Sequence, residues 1–195
     1  MFRPRLAIVA PLAALALGGC GVNSIPTAEE AAKARWADVQ NEYQRRSDLI
    51  PNLVSTVKGY AKQEQDVLVK VTEARANAGR VTLSADQLSD PAAVQRFNQA
   101  QGQLTSALVP FRQLQEAYPD LKSNVNFMAL QSQLEGTENR ITIARRDYNE
   151  AVQAYNTRIR TFPDAIGAKV FYGAKPMVTF EATTPHAQTA LTVTF

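Results

Sequence analysis

Apolar residues recur every three or four positions through most of this chain, a spacing that is typical of helices packed on one another. A first heptad-like frame runs through residues 32–78, and a second runs through residues 127–162 without a slip. Thr137 is the one polar residue at a core position of the second frame. The pattern predicts an all-α fold, an up-and-down antiparallel bundle of long helices.

Helix starts are marked by side chains that can accept hydrogen bonds from free backbone N–H groups. Thr27 and Glu30 have the spacing of a capping box, so we expect the first helix to begin at Thr27. Asp90, followed by a proline, has the pattern of a helix start. Asn124 or Asn126 can cap the last long helix.

Pro51 interrupts the first apolar frame and leaves two arrangements open. A proline in a helix interior costs about 3 kcal/mol, because it removes a hydrogen bond and clashes with the carbonyl four residues back. Asp48 can cap a new helix, and Arg45 and Arg46 would then suit the last turn of the preceding one. We therefore favour a break at residues 47–50 and a four-helix core. The alternative is one helix kinked at the proline, which gives three helices.

The C-terminal residues 164–195 differ in pattern from the bundle. A short helix is expected at residues 164–171. Residues 179–181 and 191–195 alternate between apolar and polar side chains, as strands do. The prediction is a short extended tail, either packed on the bundle or disordered. The alternative is a segment that adds a strand to a partner protein.

The first twenty residues have the features of a bacterial lipoprotein signal. Two arginines precede an apolar run too short to span a membrane, and Leu-Gly-Gly-Cys follows, which resembles a lipobox ending at Cys20. Gly21 after the cysteine favours the outer membrane over the inner. The predicted organisation is a signal peptide (1–19), a lipidated linker (20–26), a helical bundle domain (27–163) and an extended tail (164–195).

Charge and residue types argue against several classes of function. Removal of residues 1–19 leaves 19 Lys and Arg against 18 Asp and Glu, with no basic stripe, so nucleic acid is not an expected partner. The single cysteine is expected to carry lipid, and the single histidine, His186, lies in the tail. We expect no cofactor, metal or enzymatic activity. Glu135 and Glu138 share a helix face that we interpret as solvated.

The most unusual local feature is a set of polar residues along the last long helix. It comprises Asn139, Arg140, Asn149 and Asn156, and the last two are seven residues apart. Our first interpretation is a hydrogen-bond network between helices that fixes their register. The second interpretation is a face that binds a peptide or a lipid headgroup.

Four stretches resemble the LemA family: residues 45–64, 117–163 and 171–182, and the final Val-Thr-Phe. The motifs TENR and ARRDYN within residues 137–149 are the most specific. The resemblance implies a helical bundle with a four-helix core and no established enzymatic activity. It also implies links to membranes, since some members neighbour the gene of a membrane-embedded metalloprotease and one belongs to the magnetosome membrane. Many members begin with a spanning helix, whereas this chain has a lipobox.

These features together predict a lipid-anchored, periplasm-facing adaptor or scaffold of the bacterial cell envelope. Its expected partners are the membrane, through lipid on Cys20, and an envelope protein, for which a membrane protease system is one candidate. Two other functions stay open at this point. One is an envelope enzyme that uses carboxylates, and the other is a binder of a small amphiphile within the bundle.

Overall fold

The computed structural model describes residues 23–61 and 63–181. Within them the chain is helical and contains no strand, which confirms the all-α prediction. The helices are α1 (Ser24–Tyr60), α2 (Gln65–Arg80), α3 (Pro91–Ala117), α4 (Pro119–Lys122), α5 (Val125–Arg158) and α6 (Asp164–Gly167). A 3-10 segment (Ala85–Ser89) precedes α3, and a π-helical turn (Ala168–Tyr172) follows α6.

The long helices α1 and α5 form the backbone of the bundle. Ion pairs join Arg46 to Glu138 and Glu42 to Arg140, so the two helices are antiparallel. At 1.5 Å per residue their lengths are about 55 and 51 Å, so the two helices can pack against each other over nearly their full lengths.

α2 packs on α3 in the upper half, where α1 ends and α5 begins. α3 runs along both halves, with Phe97 in the lower core and Leu104 in the upper core. In the lower half, α2 is absent and the C-terminal segment fills the space beside α5.

The predicted break at Pro51 is wrong, because α1 continues through it and ends only at Tyr60. Arg75 of α2 explains how the helix tolerates the proline. Its Nε donates a 2.7 Å hydrogen bond to the carbonyl of Ser47, the acceptor that Pro51 cannot reach. Asp48 caps nothing there and instead accepts a hydrogen bond from the Gln44 side chain. The alternative, one kinked helix that gives three helices in all, is wrong as well, because α1 passes through Pro51 but ends at Tyr60. The predicted four-helix core is confirmed, and it consists of α1, α2, α3 and α5.

Predicted helix starts have mixed outcomes. α1 begins at Ser24 rather than Thr27, and the Thr27 hydroxyl donates to the carbonyl of Asn23 instead of forming a capping box. Asp90 and Asn124 are confirmed as caps. Their side chains accept hydrogen bonds of 2.9 Å from backbone N–H groups two and three residues later.

Two apolar clusters make up the core, one in each half of the bundle. The lower one surrounds Trp36, whose ring lies 5.3 Å from Phe97 and 5.8 Å from Tyr148, centroid to centroid. The upper one joins α1 to α2, α3 and α5 and includes Ile50, Leu53, Val57, Leu104, Leu108 and Phe127. Thr137 is completely buried, as its place in the frame predicted.

A buried cation lies between the two clusters. Arg46, only 1% exposed, sits in the middle of α1 rather than in a last turn. Its Nη1 donates to Glu138 Oε1 of α5 at 3.1 Å and to Thr105 Oγ1 of α3 at 2.9 Å. Its Nη2 donates to Gln101 Oε1 at 2.5 Å. This layer ties three helices in one register, so a polar interhelical network does exist, although its centre is Arg46.

None of the helices in the described ranges has the length and apolarity to cross a membrane. The signal segment, Cys20, His186 and residues 182–195 lie outside those ranges.

Candidate functional site: a clamp for the C-terminal segment

The C-terminal segment turns back onto the bundle after the π-helical turn. Gly173 adopts a left-handed conformation with φ of 54°, which favours glycine, and the next N–H closes the turn on the Ala168 carbonyl at 3.0 Å. Residues 174–181 then run without helical structure alongside α5 toward the middle of the bundle. We call residues 174–181 the tail segment.

Two asparagine side chains of α5 hold the backbone of the tail segment. Asn156 Nδ2 donates to the Met177 carbonyl at 2.8 Å, and the Met177 N–H donates to Asn156 Oδ1 at 2.9 Å. Asn149 pairs with both backbone groups of Phe180 in the same way, at 2.9 and 2.8 Å. Each amide thus supplies the donor and acceptor that a neighbouring strand would supply.

The seven-residue spacing of the two asparagines matches the tail geometrically. Two turns of helix advance about 10.5 Å along α5. The three residues from Met177 to Phe180 advance about 10 Å when extended. Both amides can therefore engage an extended chain at once.

Two further α5 side chains bind the same backbone. The Tyr148 hydroxyl donates to the Val178 carbonyl at 3.0 Å, and Arg145 Nη2 donates to the Glu181 carbonyl at 2.7 Å. Burial raises the pKa of Tyr148, which keeps its hydroxyl protonated as a donor. We call Arg145, Tyr148, Asn149 and Asn156 the tail clamp. On the other side of the tail, the Val178 N–H donates to the Leu88 carbonyl at 2.8 Å.

Apolar side chains of the tail segment complete the lower core. Met177 and Phe180 are buried, whereas Thr179 and Glu181 on either side of Phe180 are exposed. The Phe180 ring stacks on Trp36 at 5.8 Å, and the Arg145 guanidinium lies 4.8 Å above its centroid. Burial of such side chains contributes about 1.5–3 kcal/mol each. The alternation predicted for residues 179–181 is confirmed, and the tail segment packs on the bundle as predicted, while residues 191–195 lie outside the described ranges.

The structure separates the predicted polar residues into two groups. Asn149 and Asn156 lie together in the tail clamp, but their partners are an extended backbone, so our first interpretation is wrong for them. Arg140 belongs to the helix pairing, donating to Glu42 Oε2 at 3.0 Å and to Thr137 Oγ1 at 2.8 Å. Asn139 is exposed. The seven-residue spacing of Asn149 and Asn156 correctly indicated a shared face, but the sequence did not show which part of the chain that face binds.

Beside the tail clamp, the surface forms an open groove of about 760 Å³. Its walls are polar and include Arg145, Arg146, Gln153, Arg160 and Glu181. No three His, Cys, Asp or Glu residues meet in metal-binding geometry within the described chain. Glu135 and Glu138 form no acid pair, because Glu138 binds Arg46 and Glu135 accepts from Gln131 on its own helix surface.

The sequence of this chain is similar to sequences of known proteins. The sequence matches the LemA family over residues 35–195. It is 25% identical over 174 residues to magnetosome protein MamQ 2 of Paramagnetospirillum magneticum, covering 81% of this chain and 63% of that protein. It is 23% identical over 124 residues to protein LemA of Metamycoplasma hominis, covering 64% of this chain and 52% of that protein.

A third relative, magnetosome protein MamQ of Magnetospirillum gryphiswaldense, is 24% identical over 157 residues, covering 72% of this chain and 58% of its own length. The chain thus spans less than two thirds of the length of these curated relatives. The family match includes all of α2 to α6 and the entire tail clamp with its tail segment. This chain therefore belongs to the LemA family.

Proposed function

We propose that this protein is a non-enzymatic adaptor of the bacterial cell envelope. Lipid on Cys20 anchors it to a membrane, with the outer membrane favoured over the inner, and the bundle faces the periplasm. Its partner is an envelope protein, and a membrane protease system is one candidate. The observation that carries the proposal is the tail clamp, which fixes the position of residues 177–181.

The tail clamp supports an adaptor because its side chains bind backbone groups of the tail segment and so fix its position. Its asparagines hold Met177 and Phe180 in place, so Glu181, the last described residue, has a defined position next to Arg145. The sequence of residues 191–195 alternates like a strand, and strand addition to a sheet edge is a common way to bind a protein partner. A rigid bundle that holds the start of such a segment in a fixed position could serve as a scaffold for a partner protein.

Similarity to proteins named for the magnetosome supports a role at a membrane. The motif at Cys20 supports anchoring, because the sequence after the apolar run resembles a lipobox. A carboxylate enzyme has less support, since Glu138 is committed to an ion pair with Arg46.

In-cell photo-crosslinking tests the adaptor. A photoreactive residue at position 191 reports on the tail, and one at Lys70, exposed on α2, is the matched control. We expect one envelope protein to be captured from position 191 and not from position 70. Asn149→Ala/Asn156→Ala should weaken that capture, since the backbone of Met177 and Phe180 is no longer held in place. Equal capture from both positions, or capture of lipid alone, would contradict the adaptor.

The anchor is tested separately by fractionation. Cys20→Ala should move the protein from the membrane fraction to the periplasm, because the acylated thiol is lost. Retention of the variant in membranes would contradict lipid anchoring.

A further inference from the structure

Exposed apolar side chains are concentrated at the lower end of the bundle. Of the eleven large hydrophobic residues that are exposed in the described chain, five lie between residues 162 and 172. They are Phe162, Ile166, Val170, Phe171 and Tyr172, and Phe162 and Phe171 are 81% and 70% exposed. We call these five side chains the apolar cap. Such a concentration is uncommon on a surface that faces only water.

The apolar cap lies beside the point where the N-terminus enters the bundle. Ser24 Oγ donates to Asp164 Oδ2 at 2.6 Å, and the Ile25 side chain packs close to Gly167. Both contacts join the first turn of α1 to α6, so the start of α1 and the cap share one end of the molecule.

Chain length then limits the distance from the cap to a lipid on Cys20. Asn23 is three positions after Cys20, and a fully extended chain covers at most about 3.6 Å per residue. A membrane that holds the acyl chains therefore comes within about 11 Å of the lower end. The apolar cap therefore lies at the end of the bundle that is near the membrane.

Charges around the cap suit the headgroup layer of such a membrane. Residues 158–175 carry four cations, and Asp164 is the only carboxylate among them. Asp164 already accepts from Ser24 and lies 3.8 Å from Arg158. Exposed Lys169 and Lys175 can reach phosphates while apolar neighbours enter the interface.

We propose that the apolar cap inserts into the interface of the same membrane that holds the lipid on Cys20. The inference rests on the proposed lipid anchor and adds a second attachment, about 5–10 Å deep in the headgroup region. With one end seated, α1 and α5 stand away from the bilayer and the upper end, with Val125, points into the periplasm. The anchor and the cap together hold the adaptor upright.

Fluorescence in reconstituted membranes tests the orientation. The full lipidated protein is placed in vesicles of phosphatidylethanolamine and phosphatidylglycerol. Phe171→Cys carries the environment-sensitive dye NBD, and Val125→Cys is the matched control, since Val125 is 80% exposed at the opposite end. With lipid on Cys20, the added cysteine is the only free thiol. We expect a blue shift at position 171 and several-fold stronger quenching by spin-labelled lipid than at position 125.

Equal quenching at the two positions would overturn the inference. Val170→Asp should reduce quenching of the dye at position 171, because a charge opposes entry into the interface, and no change would also overturn it. Mass spectrometry separates the two proposals. If Cys20 carries lipid but position 171 is not quenched, the cap inference fails and the anchor stands. If Cys20 itself accepts the dye, the anchor fails and the inference fails with it.

Discussion

The contact between Arg75 and the carbonyl of Ser47 makes a sharp prediction about Pro51. The proline leaves that carbonyl without its helical donor, and Arg75 Nε fills the role at 2.7 Å. A hydrogen bond from a charged donor contributes about 1.5–3 kcal/mol. Because both residues are half-buried, we take the lower limit, about 1.5 kcal/mol, for the cost of Arg75→Met.

In a Pro51→Ala background the same substitution should cost much less. The new N–H of residue 51 can reach the Ser47 carbonyl, so the carbonyl keeps a donor when Arg75 is lost. Pro51→Ala alone should stabilise the protein by up to about 2 kcal/mol, because removing an interior proline relieves up to about 3 kcal/mol in the helix and about 0.4–1 kcal/mol is lost to added freedom in the unfolded chain. The predicted coupling between the two sites is about 1 kcal/mol.

Urea unfolding of the wild type, the two single variants and the double variant measures that coupling. Arg80→Met, at the exposed end of the same helix, is a control that should show no coupling to Pro51. An equal cost of Arg75→Met with proline or alanine at position 51 would refute the explanation of how α1 tolerates the proline.

Three other predictions concern the buried arginine, the tail clamp and the turn. Glu138→Ala should cost about 3 kcal/mol in urea unfolding, the lower limit for leaving a buried charge without its ion partner, and adding Arg46→Met should recover part of that loss. The free energy of unfolding should fall above about pH 10, because tyrosine ionises there in the unfolded chain, whereas burial raises the pKa of Tyr148 and keeps it neutral in the folded protein. The loss from this one group is at most about 1.4 kcal/mol per pH unit. Gly173→Ala should cost about 1–2 kcal/mol in urea unfolding because its φ is positive.

A different result would contradict each of these three predictions. A double variant less stable than Glu138→Ala would mean that Arg46 contributes more through packing than through its charge. Tyr148→Phe should reduce the loss at high pH, and an unchanged profile would assign it to other tyrosines. A Gly173→Ala protein as stable as the wild type would show that the turn does not require a left-handed residue.

Local patterns were enough to predict much of the fold. The apolar frames identified the helices and the buried Thr137, and the caps at Asp90 and Asn124 were correct because each bonds to a backbone group within three residues. Features of this kind depend only on neighbouring residues. They can therefore be inferred from sequence without knowledge of the tertiary structure.

Predictions failed where the deciding partner was distant in sequence. The Ser47 carbonyl is satisfied by a side chain 28 residues away, so the helix break was inferred from an incomplete set of contacts. Arg46 was expected in the last turn of a helix, where a cation interacts favourably with the helix dipole, and its carboxylate partner is 92 residues away.

The tail clamp was visible in part. The seven-residue spacing of Asn149 and Asn156 indicated a shared face, and a bound peptide was the second interpretation of that face. The peptide is the chain's own tail segment, 21 to 31 residues further on. Backbone groups carry no sequence signature, so the pairing could not be predicted from the residue types at positions 177 and 180.

Hydrogen exchange at the backbone N–H groups of Met177 and Phe180 tests most directly whether the tail segment is an integral part of the bundle. Each donates to a clamp asparagine, so both should be protected in the wild type to a degree approaching that of α5. Asn149→Ala/Asn156→Ala should speed their exchange by about tenfold or more, since about 1.4 kcal/mol is tenfold and several hydrogen bonds are lost. Asn139→Ala, at an exposed position of the same helix, should leave both rates unchanged. Exchange of both groups at the rate of an unfolded chain in the wild-type protein would contradict the account.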